Sequence, residues 1–332
     1  MAPRPKPIDL AFLGCGNATR MHSGTLARIA PEVRLHYASR DMEKAQRASA
    51  KHGGAGAFGS YESALADTSI QVVLVATPPP LHVDLTMAAL ASDKDVIVEK
   101  PAFLRPEDFE QVREAMSKSG RRVFVAENYF YKPLRQRMVG IIEDGIVGDP
   151  LFLNVNAIKR QRPDDWRANS ADSGGGGLFE GGIHWINLMA NLGMDVRKVS
   201  GHRAGLSSRR GAGSPETEES IQVVMDYTNG AVGTLSFSWE VPSPLRGVRI
   251  SKLYGREGTV TFESNGIFVF ASGRRTRLSF PGFGDLGGYR AMFTDFLASI
   301  RTGRDPLMTF DIAEQDVRLI LDIYTSLEAE HS

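Results

Sequence analysis

The first part of the chain alternates short apolar runs with longer stretches of helical spacing. Gln71–Thr77 is mostly β-branched and apolar, which is typical of strands buried on both faces of a parallel sheet, and Asp95–Glu99 and Arg122–Ala126 repeat the pattern. The predicted strands are Ile8–Leu13, Val33–Ala38, Gln71–Thr77, Asp95–Glu99 and Arg122–Ala126. Helices are predicted between some of them, over Arg20–Ala30, Pro80–Ser92 and Pro106–Ser119. This alternation predicts a doubly wound, right-handed parallel sheet.

Near Gly145–Pro150 the pattern changes to strand-like segments separated by turn signals. The predicted strands are Leu151–Ile158, Ser220–Tyr227, Ala231–Trp239, Val248–Tyr254, Thr259–Glu263 and Ile267–Ala271. Asn229-Gly230 is a strong hairpin signal between two of them. One helix is predicted around Leu178–Leu192, and another over Tyr289–Thr302 after the last strand. The second part is therefore predicted to be an α+β domain on one large, mostly antiparallel sheet.

The composition excludes several classes of protein. The 332 residues suffice for about two domains. Lys plus Arg and Asp plus Glu both number 39, and zero net charge argues against a nucleic-acid-binding protein. One cysteine excludes an internal disulfide and fits the cytoplasm. No apolar stretch reaches the roughly 18 residues of a membrane span, and the seven scattered histidines lack partners at zinc spacing, so no metal site is expected.

A glycine-rich segment follows the first predicted strand and opens the first predicted helix. Its sequence is Gly14-Cys15-Gly16-Asn17-Ala18-Thr19. Gly14 permits a tight turn, and Gly16 lets the backbone approach a pyrophosphate at a helix N-terminus. We predict that Gly14, Gly16, Asn17 and Ala18 bind a dinucleotide, the alternative being a glycine turn without a ligand. Thr19 replaces the third glycine of such turns, which would loosen packing or offer a hydroxyl to phosphate.

The end of the second strand indicates which dinucleotide is bound. NAD enzymes usually carry an acid there for the ribose 2′-hydroxyl, but this chain has Ser39 and Arg40. A hydroxyl and a guanidinium suit a 2′-phosphate. We therefore predict NADP as the cofactor, with NAD as the second choice. The alternative is that both residues start a helix, with Ser39 as its N-cap.

Glu99-Lys100-Pro101 stands at the end of another predicted strand. Ligands of open α/β sheets bind outside the carboxyl ends of the strands, so Lys100 is well placed for chemistry. A lysine in a desolvated cleft can hold or relay a proton near an alcohol that is being oxidised. Taken alone, an exposed lysine at a strand end is the commoner explanation.

The ordered set of motifs resembles the Gfo/Idh/MocA oxidoreductases over nearly the whole chain. Besides the glycine turn and Glu99-Lys100-Pro101, the set comprises Thr77–His82, Glu127-Asn128-Tyr129, Gly148-Asp149, Asp165-Trp166-Arg167 and Gly174–His184. The resemblance implies a Rossmann domain followed by an open-faced α+β domain. It also implies an NAD(P)-dependent redox reaction on a sugar, polyol or cyclitol, and a homodimer or homotetramer paired through the open sheet face.

The resemblance also assigns site residues. Lys100 matches the active-site lysine, and His184 matches the histidine that serves as general acid/base. Glu180 stands where an aspartate is usual, four residues before His184, so on an α-helix the two would share a face. The predicted cofactor residues further along the chain are Thr77, Pro78, His82, Glu99, Lys100 and Asn128. The predicted substrate residues are Tyr129, Arg167 and Asn187, the last in place of another usual aspartate.

These departures leave two other functions open. One is a nucleotide-bound sensor or scaffold without turnover, and the other is a redox-neutral enzyme that retains its cofactor. In domain terms the chain is predicted to have a flexible tail over 1–7, a dinucleotide-binding domain over 8–128 and a substrate-binding and oligomerisation domain over 129–332. Arg203–Glu219 is predicted to be a mobile loop that contributes to substrate selection.

Overall fold

The computed structural model describes residues 7–161, 176–204, 218–243 and 247–329. Its first sheet has six parallel strands in the order β3-β2-β1-β4-β5-β6. These strands are β1 Ile8–Leu13, β2 Val33–Ala38, β3 Gly56–Phe58, β4 Val72–Val75, β5 Asp95–Val98 and β6 Val123–Val125. Every residue of β1, β4, β5 and β6 is buried, and apart from Asp9 and Asp95 all of these residues are apolar. The predicted doubly wound parallel sheet is confirmed.

Helices connect these strands. They are Asn17–Ile29, Met42–His52, Tyr61–Ala66, His82–Ala91 and Pro106–Ser119. Asp41 caps the second of them by accepting a hydrogen bond from the Lys44 backbone N–H, 3.2 Å away. Ser39 is therefore not the N-cap. The sequence pattern predicted neither Met42–His52 nor Tyr61–Ala66.

The second sheet has eight strands in the order β14-β13-β12-β11-β7-β10-β9-β8. Its strands are β7 Pro150–Ile158, β8 Val196–Arg203, β9 Ser220–Tyr227, β10 Val232–Ser238, β11 Ile250–Gly255, β12 Gly258–Glu263, β13 Val269–Ser272 and β14 Arg277–Ser279. All neighbours are antiparallel except β7 and β10. Asn229-Gly230 joins β9 to β10 as predicted, with Gly230 at φ +86°.

Helical segments accompany the second sheet. They are the single turn Asn128–Tyr131, the helix Pro133–Glu143, the π-helical turn Leu178–Gly182 and the helix Ile183–Ala190. The chain ends in the helices Tyr289–Thr302 and Phe310–Ala329. Among the described residues, none of these helices is long and apolar enough to cross a membrane.

The chain divides into two compact units. The first comprises residues 1–127 and 289–314, and the second comprises residues 128–288 and 315–332. The helix Tyr289–Thr302 therefore belongs to the first unit, whereas the predicted boundaries placed it in the second. Its buried face includes Phe293 and Phe296, and Phe296 lies 5.3 Å from the ring of Phe124 on β6. The order of elements along the sequence does not reveal that this late helix packs in the first unit.

Candidate active site

The first sheet has its topological switch point between β1 and β4. The chain leaves β1 at Leu13 and crosses to one side, and it leaves β4 at Val75 and crosses to the other. The loops that follow these two strands border a crevice at the carboxyl edge of the sheet, which is where open α/β sheets bind their ligands. The Ala76 N–H donates to the Leu13 carbonyl over 2.9 Å and ties the two loops together.

Gly14 makes the turn after β1 in a conformation that only glycine adopts readily. Its φ is +114°, and a Cβ atom there would lie 2.6 Å from the Ala76 carbonyl oxygen. Its N–H donates to the Ala38 carbonyl at the end of β2 over 3.0 Å. A side chain at this position would therefore disturb the ends of three strands at once.

The next residues expose the start of the helix Asn17–Ile29. Gly16 is the N-cap, with no side-chain cap, and a Cβ atom on it would meet nothing within 4 Å. Gly16 and Asn17 are exposed, and Ala18 is half-buried. A bare helix N-terminus beside open space suits the pyrophosphate of a dinucleotide. Thr19 does not offer its hydroxyl there, because that hydroxyl donates to the Gly14 carbonyl over 2.8 Å.

Ser39 and Arg40 follow β2 with different exposures. Ser39 is buried, and its Oγ accepts from the Asp41 N–H over 3.2 Å, whereas Arg40 is exposed. Burial raises the pKa of nearby Tyr61, and the positive charge of Arg40 partly offsets that rise. Lys44 likewise acts on Cys15 in the glycine turn: burial raises the pKa of the Cys15 thiol, and Lys44 opposes the rise. The cations Arg40 and Lys44 therefore both lie near the loops that follow β1 and β2.

The loop after β4 carries Thr77, Pro78 and His82. Thr77 is buried, and its Oγ1 has no hydrogen-bond partner among the described residues. His82 is fully buried between the carbonyl of Thr77 at 2.9 Å and those of Pro101 and Ala102 at 3.0 Å. Burial lowers the pKa of His82, although the three carbonyls favour its charged form. Its place between these backbones makes it a support of the crevice.

Glu99 is held by a residue that the sequence analysis did not select. One carboxylate oxygen contacts Nε2 of fully buried His22, and the other accepts from the Lys100 N–H over 3.1 Å. Burial pushes the pKa of Glu99 upward, but His22 and Lys100 outweigh it and hold the pKa below its ordinary value. His22 lies on the helix that starts at the glycine turn. The pair therefore links that helix to the backbone of Lys100, whose side chain is half-buried.

We expect the His22→Ala variant to lose about 3 kcal/mol of unfolding free energy, because removing the imidazole leaves one oxygen of the largely buried Glu99 carboxylate without its hydrogen-bond partner. The variant also loses the ring packing of His22 against Tyr289 and Phe293. Urea unfolding measures the change. The matched control is His36→Ala, because its partner Asp9 keeps Arg34. Equal losses in the two variants would contradict a special role for the His22–Glu99 pair.

In the second unit, Glu180 and His184 lie on two different kinds of helix. Glu180 belongs to the π-helical turn Leu178–Gly182, and His184 belongs to the α-helix Ile183–Ala190. The α-helical spacing that the sequence analysis assumed therefore does not apply across this pair. Both side chains are half-buried. Single π-helical turns occur frequently at functional sites.

A buried acid holds the start of that turn. Glu218 accepts from the Leu178 N–H and from the Tyr324 hydroxyl, each over 2.8 Å. Burial raises the pKa of Glu218, and these two hydrogen bonds oppose the rise. A Cβ atom on Gly176 would lie 1.7 Å from the Glu218 carboxylate, so the close approach requires glycine. This packing explains part of the glycine run that precedes Glu180.

An aromatic stack fixes the neighbourhood of His184. The rings of Tyr129 and His184 are stacked with centroids 4.5 Å apart and 14° between their planes, and Tyr129 meets the edge of Trp185 at 5.1 Å. The Lys132 ammonium lies 3.7 Å from the Tyr129 ring centroid, and the Arg249 guanidinium lies 5.1 Å from that of Trp185. The structure thus groups Tyr129 with His184, and it adds two cations that the sequence analysis missed.

Of the other predicted site residues, Asn128 and Asn187 are buried, and Arg167 lies outside the described residues. Asn128 is buried and donates to the Gly287 carbonyl over 2.6 Å. Asn187 is fully buried on the helix Ile183–Ala190 and donates to Asp316 over 2.8 Å. A substrate could reach it only if that helix moved. Arg167, with its neighbours Asp165 and Trp166, lies outside the described residues, as do 205–217 of the predicted loop. The roles of all these residues stay predictions. No three His, Cys, Asp or Glu side chains of the described ranges are arranged to hold a metal ion.

Relatives with named activities resemble most of the chain. Levoglucosan dehydrogenase from Pseudarthrobacter phenanthrenivorans is 24% identical over 350 residues, covering 94% of this chain and 87% of that protein. Trans-1,2-dihydrobenzene-1,2-diol dehydrogenase from Xenopus laevis is also 24% identical, covering 74% of this chain and 72% of that one.

Solved structures share the fold. The complex of levoglucosan dehydrogenase with NADH and levoglucosan matches with a TM-score of 0.86 at 21% identity over 98% of both chains. Aldose-aldose oxidoreductase from Caulobacter crescentus, complexed with glycerol, matches with a TM-score of 0.85 at 22% identity, again over 98% of both. At these identities the likeness shows the fold alone.

Family models match both parts of the chain. Residues 8–127 match the oxidoreductase family with an NAD-binding Rossmann fold, and residues 136–261 match the Gfo/Idh/MocA C-terminal domain. The two models follow one another in the order that the motifs predicted. The protein belongs to the Gfo/Idh/MocA family of NAD-binding oxidoreductases.

Proposed function

We propose that the protein transfers hydride between a nicotinamide cofactor, with NADP preferred, and a secondary alcohol or ketone of a sugar, polyol or cyclitol. The observation that carries the proposal is the crevice between β1 and β4. There a bare helix N-terminus faces open space at Gly16, and the Thr77 hydroxyl is buried without a protein partner among the described residues. The names of similar proteins, levoglucosan dehydrogenase and aldose-aldose oxidoreductase, favour a carbohydrate substrate.

Different residues of the first unit would hold different parts of the cofactor. Gly14, Gly16, Asn17 and Ala18 would hold the pyrophosphate, because they form the glycine turn and the helix start. Ser39 and Arg40 would hold the ribose end, and Thr77 and Pro78 the nicotinamide end. The bound nicotinamide supplies the hydride acceptor or donor. His82, and Glu99 through its link to the Lys100 backbone, would hold the loops that shape this crevice.

The proton chemistry would fall to His184 and Lys100. His184 takes the proton of the reacting hydroxyl, and Lys100 donates a hydrogen bond to the same oxygen and stabilises its developing charge. Glu180 binds a neighbouring hydroxyl. The stack of Tyr129 on His184 supports this role, because it restrains the ring of a side chain that must present one nitrogen to substrate. Lys100 and His184 belong to different units, and their joint action is inferred from the motifs.

The NADP preference leads to a sharp prediction at Arg40. We expect Arg40→Ala to weaken NADPH binding by about 10- to 100-fold, because a hydrogen bond between charged groups contributes roughly 1.5–3 kcal/mol. NADH binding should change by less than about threefold, since that cofactor lacks the 2′-phosphate. Calorimetric titration measures both dissociation constants. Arg47→Ala is the control, because Arg47 is an exposed arginine of the next helix and donates to Glu43. Equal weakening of both cofactors in Arg40→Ala would refute the assignment.

We also propose that the protein is a homodimer or homotetramer. Residues along β7, β11 and β13 alternate between buried and exposed, so one face of the second sheet is covered and the other is open. The open face carries exposed apolar side chains, namely Phe152, Ile250 and Phe270. An exposed apolar surface of this kind is a feature of interaction sites.

Turnover tests the proposed function. The protein is incubated with NADP⁺ or NAD⁺ and each member of a panel of sugars, polyols and cyclitols, and the absorbance of the reduced nicotinamide is followed. Reduction with at least one such alcohol, faster with NADP⁺, is expected. Nucleotide binding without reduction by any member would favour a sensor or scaffold. A nucleotide that copurifies and does not exchange would favour a redox-neutral enzyme.

A further inference from the structure

Lys100 lies in a loop whose backbone is held on both sides by buried histidines. On the first side, the Glu99 N–H donates to the Val75 carbonyl over 3.0 Å, and the Glu99 carboxylate turns back to accept from the Lys100 N–H over 3.1 Å. His22 contacts the other oxygen of that carboxylate. The direction in which the Lys100 side chain leaves the backbone therefore depends on where His22 holds Glu99.

His82 holds the second side of the loop. Its Nδ1 lies 3.0 Å from the carbonyl oxygens of Pro101 and Ala102, and its Nε2 lies 2.9 Å from that of Thr77. Thr77 follows β4 and belongs to the proposed nicotinamide end of the crevice. His82 therefore joins the loop that carries Lys100 to the loop that carries Thr77.

The surroundings of His22 are apolar apart from Glu99. The His22 side chain is fully buried, and its ring meets the rings of Tyr289 and Phe293 edge-on, with centroids 5.7 and 5.1 Å apart. Its Nδ1 is buried without a hydrogen-bond partner among the described residues. Replacing both partners of such a buried polar contact by apolar groups of the same shape is often neutral or stabilising. Stability alone therefore does not explain a polar pair at this place.

We propose that His22 is a positioning residue, which acts through Glu99 to fix the loop of Lys100, while His82 fixes the far side of the same loop. The inference rests on the proposed function, in which Lys100 donates a hydrogen bond to the reacting oxygen. A misplacement of about 1 Å at a reacting group can lower the rate by about 10²-fold. Loss of His22 should therefore lower kcat more than it changes the binding of the cofactor.

Amide hydrogen exchange tests this role without turnover. The protein is labelled with ¹⁵N at lysine only, and the Lys100 signal is identified by its absence from Lys100→Ala. In His22→Leu, which fills the space of the ring, the Lys100 amide should exchange about tenfold faster or more. His22→Gln should restore slow exchange, because its side-chain amide can donate to Glu99. The Lys94 amide, which donates to the Ala89 carbonyl over 3.0 Å, should be unchanged in both variants.

A cycle of single and double variants tests whether the effect passes through Lys100. His22→Leu alone should lower kcat by about 10- to 100-fold and change the KM for NADPH by less than about fivefold. Introduced into Lys100→Ala, the same substitution should lower kcat no further, because a positioning residue has no effect once its target is absent. A loss of equal size in both backgrounds would indicate a general disturbance of the fold and would overturn the proposal.

The matched control is another histidine–carboxylate pair of the first unit. His36 lies on β2, and its Nε2 lies 2.7 Å from the carboxylate of Asp9 on β1. Both side chains are largely buried, but neither contacts the loop of Lys100 in the printed hydrogen bonds of the pair, which include Arg34 as the second partner of Asp9. His36→Leu should leave kcat and the Lys100 exchange rate unchanged. Changes as large as those of His22→Leu would count against the positioning role.

Exchange and turnover together separate this proposal from the function on which it rests. Fast Lys100 exchange in His22→Leu, restored in His22→Gln, with no hydride transfer by the parent to any substrate, would support the positioning role and contradict the dehydrogenase. Turnover by the parent, with kcat and exchange unchanged in His22→Leu, would overturn the positioning role and leave the dehydrogenase intact. Fast exchange with a loss of kcat that disappears in the Lys100→Ala background would support both.

Discussion

The Lys100→Ala variant is expected to lose about 10²- to 10⁴-fold in kcat, the usual contribution of a positioned proton-transfer group. Its affinity for NADPH should stay within about fivefold of the parent, since the loss of one peripheral hydrogen bond is worth about 1 kcal/mol or less. The physical reason is that Lys100 acts on the charge that develops during hydride transfer, and this charge is absent when the cofactor binds. Steady-state kinetics and nucleotide titration measure the two effects separately.

Lys118→Ala is the control for that variant. Lys118 lies in the first unit on the helix Pro106–Ser119, and it is an exposed lysine paired with Glu114 over 3.3 Å. Its loss should change neither kcat nor cofactor affinity. If Lys100→Ala loses turnover and nucleotide affinity in equal measure, Lys100 is a binding residue and its catalytic role is refuted.

A second variant tests whether Lys100 and His184 act on the same oxygen. His184→Asn should lower kcat by a factor similar to that of Lys100→Ala. Because groups that act as a unit are not additive, the double variant should lose little more than the worse single variant. Fully additive losses would show that the two residues serve separate steps.

The Gly16→Ala variant is expected to fold normally and to lose about a hundredfold in affinity for NADPH and NADH alike. A methyl group there enters space that the protein leaves open, so the fold has no reason to change. It would, however, keep the pyrophosphate away from the helix N-terminus, and two weakened charged hydrogen bonds at roughly 1.5 kcal/mol each give this factor. Thermal unfolding and nucleotide titration measure the two properties.

Two other glycines serve as comparisons. Gly14→Ala should unfold at lower temperature even without nucleotide, because φ is +114° and the methyl group would lie 2.6 Å from the Ala76 oxygen. Gly24→Ala lies in the same helix as Asn17, with nothing near its Cβ position, so it should stabilise the protein slightly and leave nucleotide affinity unchanged. Normal nucleotide affinity in Gly16→Ala would remove the main support for a dinucleotide at this turn.

The sequence predicts the first unit well because the signals for its strands and its glycine turn lie within short, contiguous segments. Buried parallel strands are short and apolar, and Gly14 stands directly after the first of them, so pattern and motif agree. The strands β3, β8 and β14 were not predicted. β3 and β14 have only three residues and lack the fully buried apolar run of the equally short β6, and β8 carries several charged and polar residues. The packing of Tyr289–Thr302 in the first unit depends on contacts between residues far apart in the chain.

The site is harder to predict than the fold. The α-helical spacing assumed for Glu180 and His184 fails because a π-helical turn precedes the helix, and its start depends on the packing of Glu218 against Gly176. Burial of Lys132 and Arg249 could not be read from a pattern, since most lysines and arginines are exposed. His22 is the exception: its position one turn before Leu26 on the buried helix face was a signal that could have been used.

The most direct test of hydride transfer uses NADPH that carries deuterium at the transferring position of the nicotinamide. The protein is mixed with this cofactor and a panel of keto-sugars and keto-inositols, and the products are analysed by mass spectrometry. The proposed function predicts one deuterium on a ring or chain carbon of at least one product, and its loss in Lys100→Ala. Saturation of the protein with NADPH, with no deuterium in any product, would contradict a dehydrogenase that acts on carbohydrates.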